Sequence, residues 1–292
     1  MTRGAYIAVD WGTTNRRAWL IDANGAVLDR QRDDRGVLSV PSAAYPQEVA
    51  DLRCALGAVP VFAAGMVGST RGWHEAPYVA APASLHSLAA HILCLDADVA
   101  IVPGVALRSA DRADVMRGEE VQALGAVAAG LVPDDALLCQ PGTHNKWIEL
   151  RDARIARFAT TMTGELFGLL RAHGILAGML EGVVHDGAAF REGLARGAGA
   201  RDLSSALFEI RAQVLLGVCP AGDAAAFASG ILIGADVGAR DDVADRDVYL
   251  LASGNLADLY ARTIDFAGGR PVAVNSEAAF LAGMHAIWNM CA

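Results

Sequence analysis

One short pattern of residues occurs twice in the chain, each time two residues after an apolar run. Residues 12–16 read Gly-Thr-Thr-Asn-Arg and follow the run 6–9, and residues 142–146 read Gly-Thr-His-Asn-Lys and follow the run 136–139. Short apolar runs of this kind are typical of buried strands, and glycine permits the sharp turn that follows each of them. The repetition therefore predicts two similar half-molecules, each with a strand and a turn of the same design.

The composition of these turns suits the binding of an oligoanion such as a polyphosphate. Small residues let backbone N–H groups approach the anion, threonine hydroxyls donate hydrogen bonds, and arginine neutralises charge. Asp10 ends the first strand and is placed to hold a metal ion, or a water bound to that ion, on the anion. The alternative is a plain β-hairpin, in which Asp10 caps the turn and both Arg16 and Arg17 lie on the surface.

Lys146, in the second turn, is the one lysine among 24 basic residues. Lysine carries a compact ammonium group that arginine does not replace, so a functional role would explain its retention in an arginine-rich chain. The alternative is that this lysine is present by chance.

Composition excludes several classes of function. The net charge of −9 argues against nucleic acid or an anionic membrane as a partner, since either would need a basic face on the protein. Residues 76–95 lack Asp, Glu, Lys and Arg, but their prolines, histidines and serines argue against a membrane span. The five cysteines are scattered without a Cys-x-x-Cys pair, and no targeting signal is evident. We therefore expect a cytoplasmic protein without structural zinc, and homo-oligomerisation stays open.

The order of predicted elements also repeats, because three strands precede alternating helices and strands in each half. The segments 65–78 and 105–118 are predicted to be loops, and Pro-Asp-Asp at 133–135 marks a domain boundary. An α/β fold with two mixed-sheet domains, 1–134 and 135–292, and a cleft between them follows from this order. The leading strands of the two halves are predicted at 6–10, 17–21 and 26–32, and at 136–140, 146–151 and 154–159.

Residues 10–18 resemble the first phosphate motif of the sugar kinases in the actin, hexokinase and heat-shock-chaperone superfamily. Residues 140–145 occupy the second phosphate position of that superfamily, and residues 251–256 the adenosine position. Within the superfamily, the chain resembles the 2-dehydro-3-deoxygalactonokinase family over essentially its whole length. The stretches that carry this resemblance are 64–69, 72–78, 115–120, 141–147, 161–167, 208–211 and 229–235.

This resemblance implies two actin-like (ribonuclease H-like) mixed-sheet domains flanking an ATP and substrate cleft. It implies a kinase that transfers the γ-phosphoryl group of MgATP to the C6 hydroxyl of 2-dehydro-3-deoxy-D-galactonate, a step of galactonate breakdown. Two positions depart from the superfamily pattern. Gln140 stands where Asp is usual, which puts a second metal-linked carboxylate in doubt, and Ser253-Gly254 replaces a Gly-Gly pair in the adenosine motif.

Phosphoryl transfer depends mainly on positioning and on charge neutralisation around the transferred group. Asp10 is accordingly the expected magnesium ligand and part of the catalytic machinery. The residues expected to bind the phosphates and the adenosine of ATP are Gly12, Thr13, Thr14, Asn15, Arg17, Gly142, Thr143, Asn145, Lys146, Ser253, Gly254 and Asn255.

Glu119 and Glu120 begin a predicted helix, in the region where sugar kinases of the superfamily carry their catalytic carboxylate. Such a carboxylate accepts the proton of the attacking hydroxyl. The alternative is that the helix dipole alone favours acidic residues at this position. The sequence does not choose between the two glutamates.

The sugar acid is itself an anion, so it needs donors beyond those that bind ATP. Arg117 could bind its carboxylate through two hydrogen bonds, and the loop at 65–69 offers backbone N–H groups and a hydroxyl. Trp73 and Tyr78 could also contact the substrate, and packing is the alternative for both. For Glu165 the alternative to substrate contact is helix capping. The expected substrate residues are Gly65, Met66, Val67, Gly68, Ser69, Trp73, Tyr78, Arg117 and Glu165.

Two other functions stay open. A related Gly-Glu-Glu element occurs in the exopolyphosphatase branch of the superfamily, so Gly118-Glu119-Glu120 also fits a polyphosphate or nucleoside-triphosphate hydrolase. A non-enzymatic nucleotide switch, in the manner of actin or the chaperones, is the third hypothesis.

Overall fold

The computed structural model describes residues 4–110, 112–199 and 201–291, which form two compact units. Unit 1 contains the residues up to Asp135, together with Ile148–Phe158 and the residues from Asn275 onward. Unit 2 contains Ala136–Trp147 and Ala159–Val274.

Strands and helices alternate along most of the described chain. The strands are β1 (Tyr6–Trp11), β2 (Arg16–Ile21), β3 (Val27–Asp33), β4 (Val61–Gly65), β5 (Tyr78–Ala80), β6 (Leu93–Cys94), β7 (Val99–Ile101), β8 (Gly104–Arg108), β9 (Ala113–Met116), β10 (Ala136–Gln140), β11 (Asn145–Arg151), β12 (Arg154–Thr161), β13 (Asp247–Leu250) and β14 (Arg270–Ala273). The α-helices are α1 (Tyr45–Leu56), α2 (Leu85–Ala89), α3 (Glu119–Ala128), α4 (Thr163–Ala172), α5 (Ala188–Ala198), α6 (Leu203–Leu215), α7 (Ala224–Gly238), α8 (Gly254–Phe266) and α9 (Ser276–Met290).

Two large sheets share the same order over five strands, and the first has a sixth; this confirms the predicted α/β fold with two actin-like mixed-sheet domains. Their orders are β3-β2-β1-β4-β7-β6 and β12-β11-β10-β13-β14. In the first sheet β1 is antiparallel to β2 and parallel to β4. In the second sheet β10 is parallel to β13, which is parallel to β14. Both β1 and β10 lie between two other strands, which explains why their sequences are almost uninterruptedly apolar.

A small third sheet of order β5-β8-β9 forms where no strand was predicted: β5 begins at the last residue of the first predicted loop, and β8 and β9 lie mostly in the second. These strands escaped prediction because they are three to five residues long and carry several exposed side chains. Their apolar and polar residues therefore give too short a pattern to separate a strand from a loop. Among the described helices, none combines the length and the apolar character that crossing a membrane requires.

The extent of unit 1 differs from the predicted continuous domains 1–134 and 135–292. Helix α9 packs closely against α3 in unit 1, since a Cβ atom at Gly125 would lie 2.0 Å from the Ala279 carbonyl oxygen. The ring of Trp288, also on α9, stacks on Tyr6 with 4.5 Å between the ring centroids. Ile155 pairs with Ala83 and so ties residues of β12 to the same unit. Such contacts join residues that are far apart in sequence, so the break at 133–135 could not reveal them.

Candidate active site

The first predicted phosphate loop, between β1 and β2, has a fixed backbone and exposed side chains. The Gly12 N–H donates to the Asn15 carbonyl oxygen over 2.9 Å, and the side chains of Thr13, Thr14 and Asn15 are exposed. The loop carbonyls accept hydrogen bonds from the N–H groups of residues 36–38, at 3.0 to 3.3 Å. A Cβ atom at Gly36 would lie 2.4 Å from the Thr13 carbonyl oxygen, so only glycine permits this close contact. Sequence reasoning missed Gly36.

The two arginines behind this loop are both engaged in ion pairs. Arg17 donates a hydrogen bond from Nη2 to Oδ2 of Asp10. Arg16 is buried and binds Asp33 over 2.7 Å and Glu48 over 2.9 Å. Burial raises the pKa of Asp10, and the Arg17 guanidinium opposes that rise. Arg16 therefore holds the fold, and Arg17, expected at the phosphates, orients Asp10.

Asp10 lies at the edge of the sheet where β1 and β4 end side by side. Trp11 pairs with Gly65, and a Cβ atom at Gly65 would lie 3.5 Å from Asp10 Oδ1. A Cβ atom at Gly118, just before α3, would lie 3.2 Å from the Cα atom of Gly65. The charge of Glu119 contributes to the raised pKa of Asp10. The fold thus brings Asp10, the loop at 65–69 and the start of α3 together within unit 1.

The environments of Glu119 and Glu120 differ sharply. The Glu120 side chain is fully buried, and both of its carboxyl oxygens lie 2.8 Å from the Gly118 nitrogen, which donates to them. Burial, followed by the charge of Glu119, raises the pKa of Glu120 to about 8. Glu119 is half-buried, and its Oε2 accepts a hydrogen bond from the Arg117 N–H over 3.1 Å. The structure therefore leaves Glu119 the more accessible carboxylate.

Arg117 is a buried cation with unused hydrogen-bonding capacity. Its Nη2 donates to the Ala76 carbonyl oxygen over 2.8 Å, and its Cζ atom lies 4.3 Å from the centroid of the Tyr78 ring. Its Nε and Nη1 atoms are buried and have no hydrogen-bond partner among the described residues. The side chain lies against the predicted substrate loop, since a Cβ atom at Gly68 would be 3.0 Å from Nη1.

Several of the other expected substrate residues hold that loop in place. Met66–Gly68 form a 3-10 turn, with Val67 and Gly68 buried. The Ser69 hydroxyl donates to the Met66 carbonyl oxygen over 2.7 Å. The Trp73 ring stacks on Tyr45 with 5.6 Å between the ring centroids. Trp73 therefore packs on Tyr45, and its expected contact with the substrate stays a prediction.

In the second predicted phosphate loop, two of the expected phosphate ligands have buried side chains. Asn145 is fully buried, and its Nδ2 donates to Asp236 Oδ2 over 2.8 Å. Lys146 is also buried, and its Nζ donates to the His144 carbonyl oxygen over 3.1 Å. The side chain of Asn145 therefore supports the loop from within.

Glu165, expected at the substrate, lies beside the second phosphate loop in unit 2. Its Oε2 is 2.5 Å from Nε2 of His144, and its backbone N–H donates to the Thr143 carbonyl oxygen over 2.9 Å. Both side chains of the His144 and Glu165 pair are partly exposed. Their contact ties the beginning of α4 to the loop.

A cavity of about 340 Å³ lies within unit 2 and joins this loop to the predicted adenosine motif. A Cβ atom at Gly164 would lie 2.4 Å from the Gly142 carbonyl oxygen, so α4 and the loop are in close contact at one wall. Residues of α7 and α8 form the opposite walls. The lining residues are Gly142, Thr143, Thr163, Gly164, Phe167, Val184, Ser229, Leu232, Ile233, Asn255, Leu256, Leu259 and Tyr260.

Only one of the three residues expected at the adenosine lines this cavity. Asn255 does so, and its Nδ2 donates to the Val184 carbonyl oxygen over 2.9 Å. Ser253 precedes the first residue of α8 with extended backbone, and Gly254 has a φ angle of 67°. These two residues thus set the turn by which the chain enters α8.

Sequence reasoning missed Asp236, which receives hydrogen bonds from several of these elements, and most of the cavity wall. Apart from Glu165, the residues of 161–167 and 229–235 were identified only by their resemblance to the family, without assigned roles. The first stretch has a Thr-Gly pair at the start of a helix, and the second has small residues along an apolar helix. Both patterns also occur in ordinary helix packing, so neither identified a cavity wall. Among the described residues there is no cluster of three or more His, Cys, Asp or Glu side chains that could hold a metal ion.

Comparisons with known proteins agree on one family. The sequence pattern of the 2-keto-3-deoxy-galactonokinase family matches residues 10–287. The chain is 38% identical to the 2-dehydro-3-deoxygalactonokinase of Escherichia coli strain K12, over 97% of each chain. It is also 38% identical to a Rhizobium meliloti strain 1021 protein assigned as 2-dehydro-3-deoxygalactonokinase DgoK1, over 98% of this chain and 99% of that protein.

A solved structure of a protein from Sinorhizobium meliloti, assigned as a 2-dehydro-3-deoxygalactonokinase, is similar throughout. Its TM-score to this chain is 0.89 at 38% identity, with 97% of this chain and 95% of that chain covered. These matches confirm the resemblance inferred from the sequence. The chain belongs to the 2-keto-3-deoxy-galactonokinase family.

Proposed function

We propose that the protein is a kinase that transfers the γ-phosphoryl group of ATP to the C6 hydroxyl of 2-dehydro-3-deoxy-D-galactonate. Membership of the family supports this activity. The observation that carries the proposal is the unit 2 cavity, because it runs from Gly142 and Thr143 of the second phosphate loop to Asn255 of the adenosine motif. Two motifs more than 100 residues apart in sequence thus border one space.

The cavity fits the base and sugar of a nucleotide. Its volume lies in the range of about 300 to 1,000 Å³ that is common for ligand pockets. None of the lining residues that the structure describes is charged, which suits a neutral aromatic base between apolar side chains such as Phe167 and Leu256. The glycine and threonine of the loop allow backbone N–H groups and a hydroxyl to approach the phosphates.

The residues near Asp10 fit a magnesium ion that accompanies ATP. Magnesium in kinases is usually held by one or two carboxylates together with substrate phosphates and waters, so a larger ligand cluster is not required. Asp10 is the carboxylate proposed to hold it or its water, with Arg17 fixing the orientation of the carboxyl group. The ion would supply neutralisation of the negative charge on the phosphates.

Glu119 is the proposed acceptor of the C6 hydroxyl proton. A general base must come within hydrogen-bond reach of the proton it removes, and Glu119 is half-buried whereas Glu120 is fully buried. The Arg117 N–H bond to Oε2 orients the Glu119 carboxylate. Glu120 instead binds the Gly118 N–H and shapes the turn that leads into α3.

Arg117 is the proposed partner of the substrate carboxylate. Its buried Nε and Nη1 atoms lack acceptors, and an unpaired buried donor is costly unless a ligand or water satisfies it. The Tyr78 ring lies against the guanidinium group and restrains its plane. A sugar acid would therefore bind better than the corresponding neutral sugar.

A cytoplasmic location fits this proposal. The five cysteines are all free thiols in the described structure, as expected in a reducing compartment. Its partners would be MgATP and the sugar acid.

The experiment that tests the function measures ADP release by the purified protein in MgATP, with and without 2-dehydro-3-deoxygalactonate. Release that depends on the sugar acid, with a phosphorylated product detected by mass spectrometry, is the expected result. Equal ADP release without the sugar acid would favour the hydrolase that Gly118-Glu119-Glu120 also suggests. Nucleotide binding without turnover would favour a non-enzymatic switch.

A further inference from the structure

Asp236, on α7, is a buried carboxylate that no part of the proposed catalytic machinery uses. It accepts hydrogen bonds from four side chains of three other elements. Its Oδ2 accepts from Asn145 Nδ2 over 2.8 Å, from Thr163 Oγ1 over 2.9 Å and from the Tyr260 hydroxyl over 2.8 Å. Its Oδ1 accepts from Trp147 Nε1 over 3.0 Å. Three of the four donors thus bind one oxygen, so the hydrogen bonds of this carboxylate are concentrated on Oδ2.

Three of the four donors belong to the nucleotide cavity or to the loop beside it. Thr163 and Tyr260 line the cavity from α4 and α8. Asn145 follows Gly142 and Thr143, which line it from the phosphate loop. Asp236 itself does not line the cavity, so it cannot recognise a nucleotide directly. Its hydrogen bonds instead connect three walls of the cavity, namely the phosphate loop, α4 and α8, to one carboxylate group.

We propose that Asp236 is the positioning residue of the nucleotide site, a role that rests on the proposed kinase function. It fixes the spacing between the phosphate loop, the start of α4 and the Tyr260 side of α8. The walls of the cavity are then already at the correct separation before the nucleotide binds. No binding free energy is therefore lost in ordering them. Hydrogen bonds to a charged group are stronger than neutral ones, which suits a carboxylate for this task.

The test replaces the acceptor and its donors separately. Asp236→Asn keeps the shape but offers one carbonyl oxygen in place of two carboxylate oxygens, and its NH₂ group faces existing donors. Tyr260→Phe and Thr163→Val each remove one donor and keep most of the side-chain volume. Trp147→Phe is the control, because it removes a hydrogen bond to the same carboxylate from a residue that does not line the cavity.

Two quantities are measured for each folded variant: the Kd for a non-hydrolysable ATP analogue by calorimetry, and the KM for the sugar acid. We expect Tyr260→Phe and Thr163→Val to weaken nucleotide binding about tenfold, the loss expected for one hydrogen bond to a charged group. Asp236→Asn should weaken it at least as much. The KM for the sugar acid should stay within about twofold of wild type in all of them, and Trp147→Phe should leave the nucleotide Kd unchanged.

The double variant Asp236→Asn/Tyr260→Phe separates positioning from direct contact. Its nucleotide affinity is compared with those of the two single variants in a double-mutant cycle. If Asp236 acts through Tyr260, the double variant loses less affinity than the sum of the two single losses. Additive losses, or an unchanged Kd in Asp236→Asn, would overturn the proposal. If Asp236→Asn does not fold, an unchanged nucleotide Kd in both Thr163→Val and Tyr260→Phe would overturn the proposal, since these residues donate to the same oxygen of Asp236. Failure of wild type to bind the analogue would instead contradict the proposed function.

Discussion

Asp10 and Arg17 stand directly opposite each other on β1 and β2, and Arg17 donates a hydrogen bond from Nη2 to Oδ2 of Asp10. This cross-strand pair changes the interpretation of both residues. Arg17 was expected at the transferred phosphate, and the structure places its guanidinium group on the carboxylate next to the phosphate loop. The other oxygen, Oδ1, lies towards Gly65 and the start of α3.

Asp10→Asn should therefore lower turnover far more than it lowers stability. An amide cannot replace a carboxylate in holding magnesium, and we expect kcat to fall about 100-fold or more. The free energy of unfolding should change by no more than about 2 kcal/mol, because the Arg17 side chain is partly exposed. Steady-state kinetics and urea unfolding measure the two quantities. Asp29→Asn, at an exposed position on β3, is the control. Largely intact activity in Asp10→Asn would contradict the magnesium role.

Glu119→Gln and Glu120→Gln should have different effects on activity. Removing the proposed base at Glu119 should lower kcat about 100-fold or more with little change in the KM for ATP. Glu120→Gln changes a fully buried carboxyl group to an amide of similar volume, so its effect on kcat should be much smaller. Equal and mild effects of the two substitutions would remove both glutamates from the chemistry.

Glu120 should also make stability depend on pH. Its pKa is about 8 in the folded chain, above the ordinary value of about 4.3 for glutamate. The folded state thus binds the proton more tightly, so the stabilisation is complete below about pH 4.3 and is lost as the pH rises to about 8. The free energy of unfolding should fall more steeply with pH in wild type than in Glu120→Gln. Urea unfolding between about pH 5 and pH 9 tests this, and parallel profiles would be the contrary result.

Gly164→Ala and Gly168→Ala form a matched pair on α4. A Cβ atom at Gly164 would lie 2.4 Å from the Gly142 carbonyl oxygen, whereas one at Gly168 would have no atom within 4 Å. Gly164→Ala should displace the second phosphate loop and raise the KM for ATP about tenfold or more. Gly168→Ala should leave the KM unchanged and stabilise the helix by up to about 1 kcal/mol. Similar kinetics for the two variants would show that the position of this loop does not control ATP binding.

Arg117→Lys tests recognition of the substrate carboxylate. Lysine keeps the charge but loses the planar fork, so the KM for the sugar acid should rise about tenfold or more while the KM for ATP stays constant. The same exchange at the largely exposed Arg157 is the control. A rise in both KM values would point to a general structural role for Arg117.

Local patterns were sufficient to predict much of the fold. The apolar run before the second turn predicted β10 at residues 136–140, which are its observed bounds. The repeated order of elements predicted two sheets of the same design. Periodicity could not show that α9 packs on α3, because the glycines that allow this contact, Gly125 and Gly283, look like ordinary weak helix positions. A pairing between distant elements leaves no pattern within either one.

The site was predicted unevenly for the same reason. The residue types of Gly12 to Asn15 and of Gly142 to Thr143 predicted both phosphate loops. Glycine permits a sharp turn, and threonine hydroxyls can donate hydrogen bonds to an anion. The burial of Asn145 and the ion pair of Arg17 depend on neighbours from other elements, so residue type alone suggested phosphate contacts for both. Asp236 was invisible for a related reason: a single acidic residue in an apolar helix gives no sign of its four donors.

The return of the chain to unit 1 through α9 has a consequence for protein synthesis. The ribosome delivers all of unit 2 before it delivers α9, although α9 packs on α3 of the unit that was begun first. Domains usually fold in the order in which they emerge. In the nascent chain, the α3 surface around Gly125 of unit 1 therefore stays uncovered until α9 leaves the ribosome exit tunnel. A released chain truncated after residue 274 should therefore be more readily cut by protease in unit 1 than in unit 2.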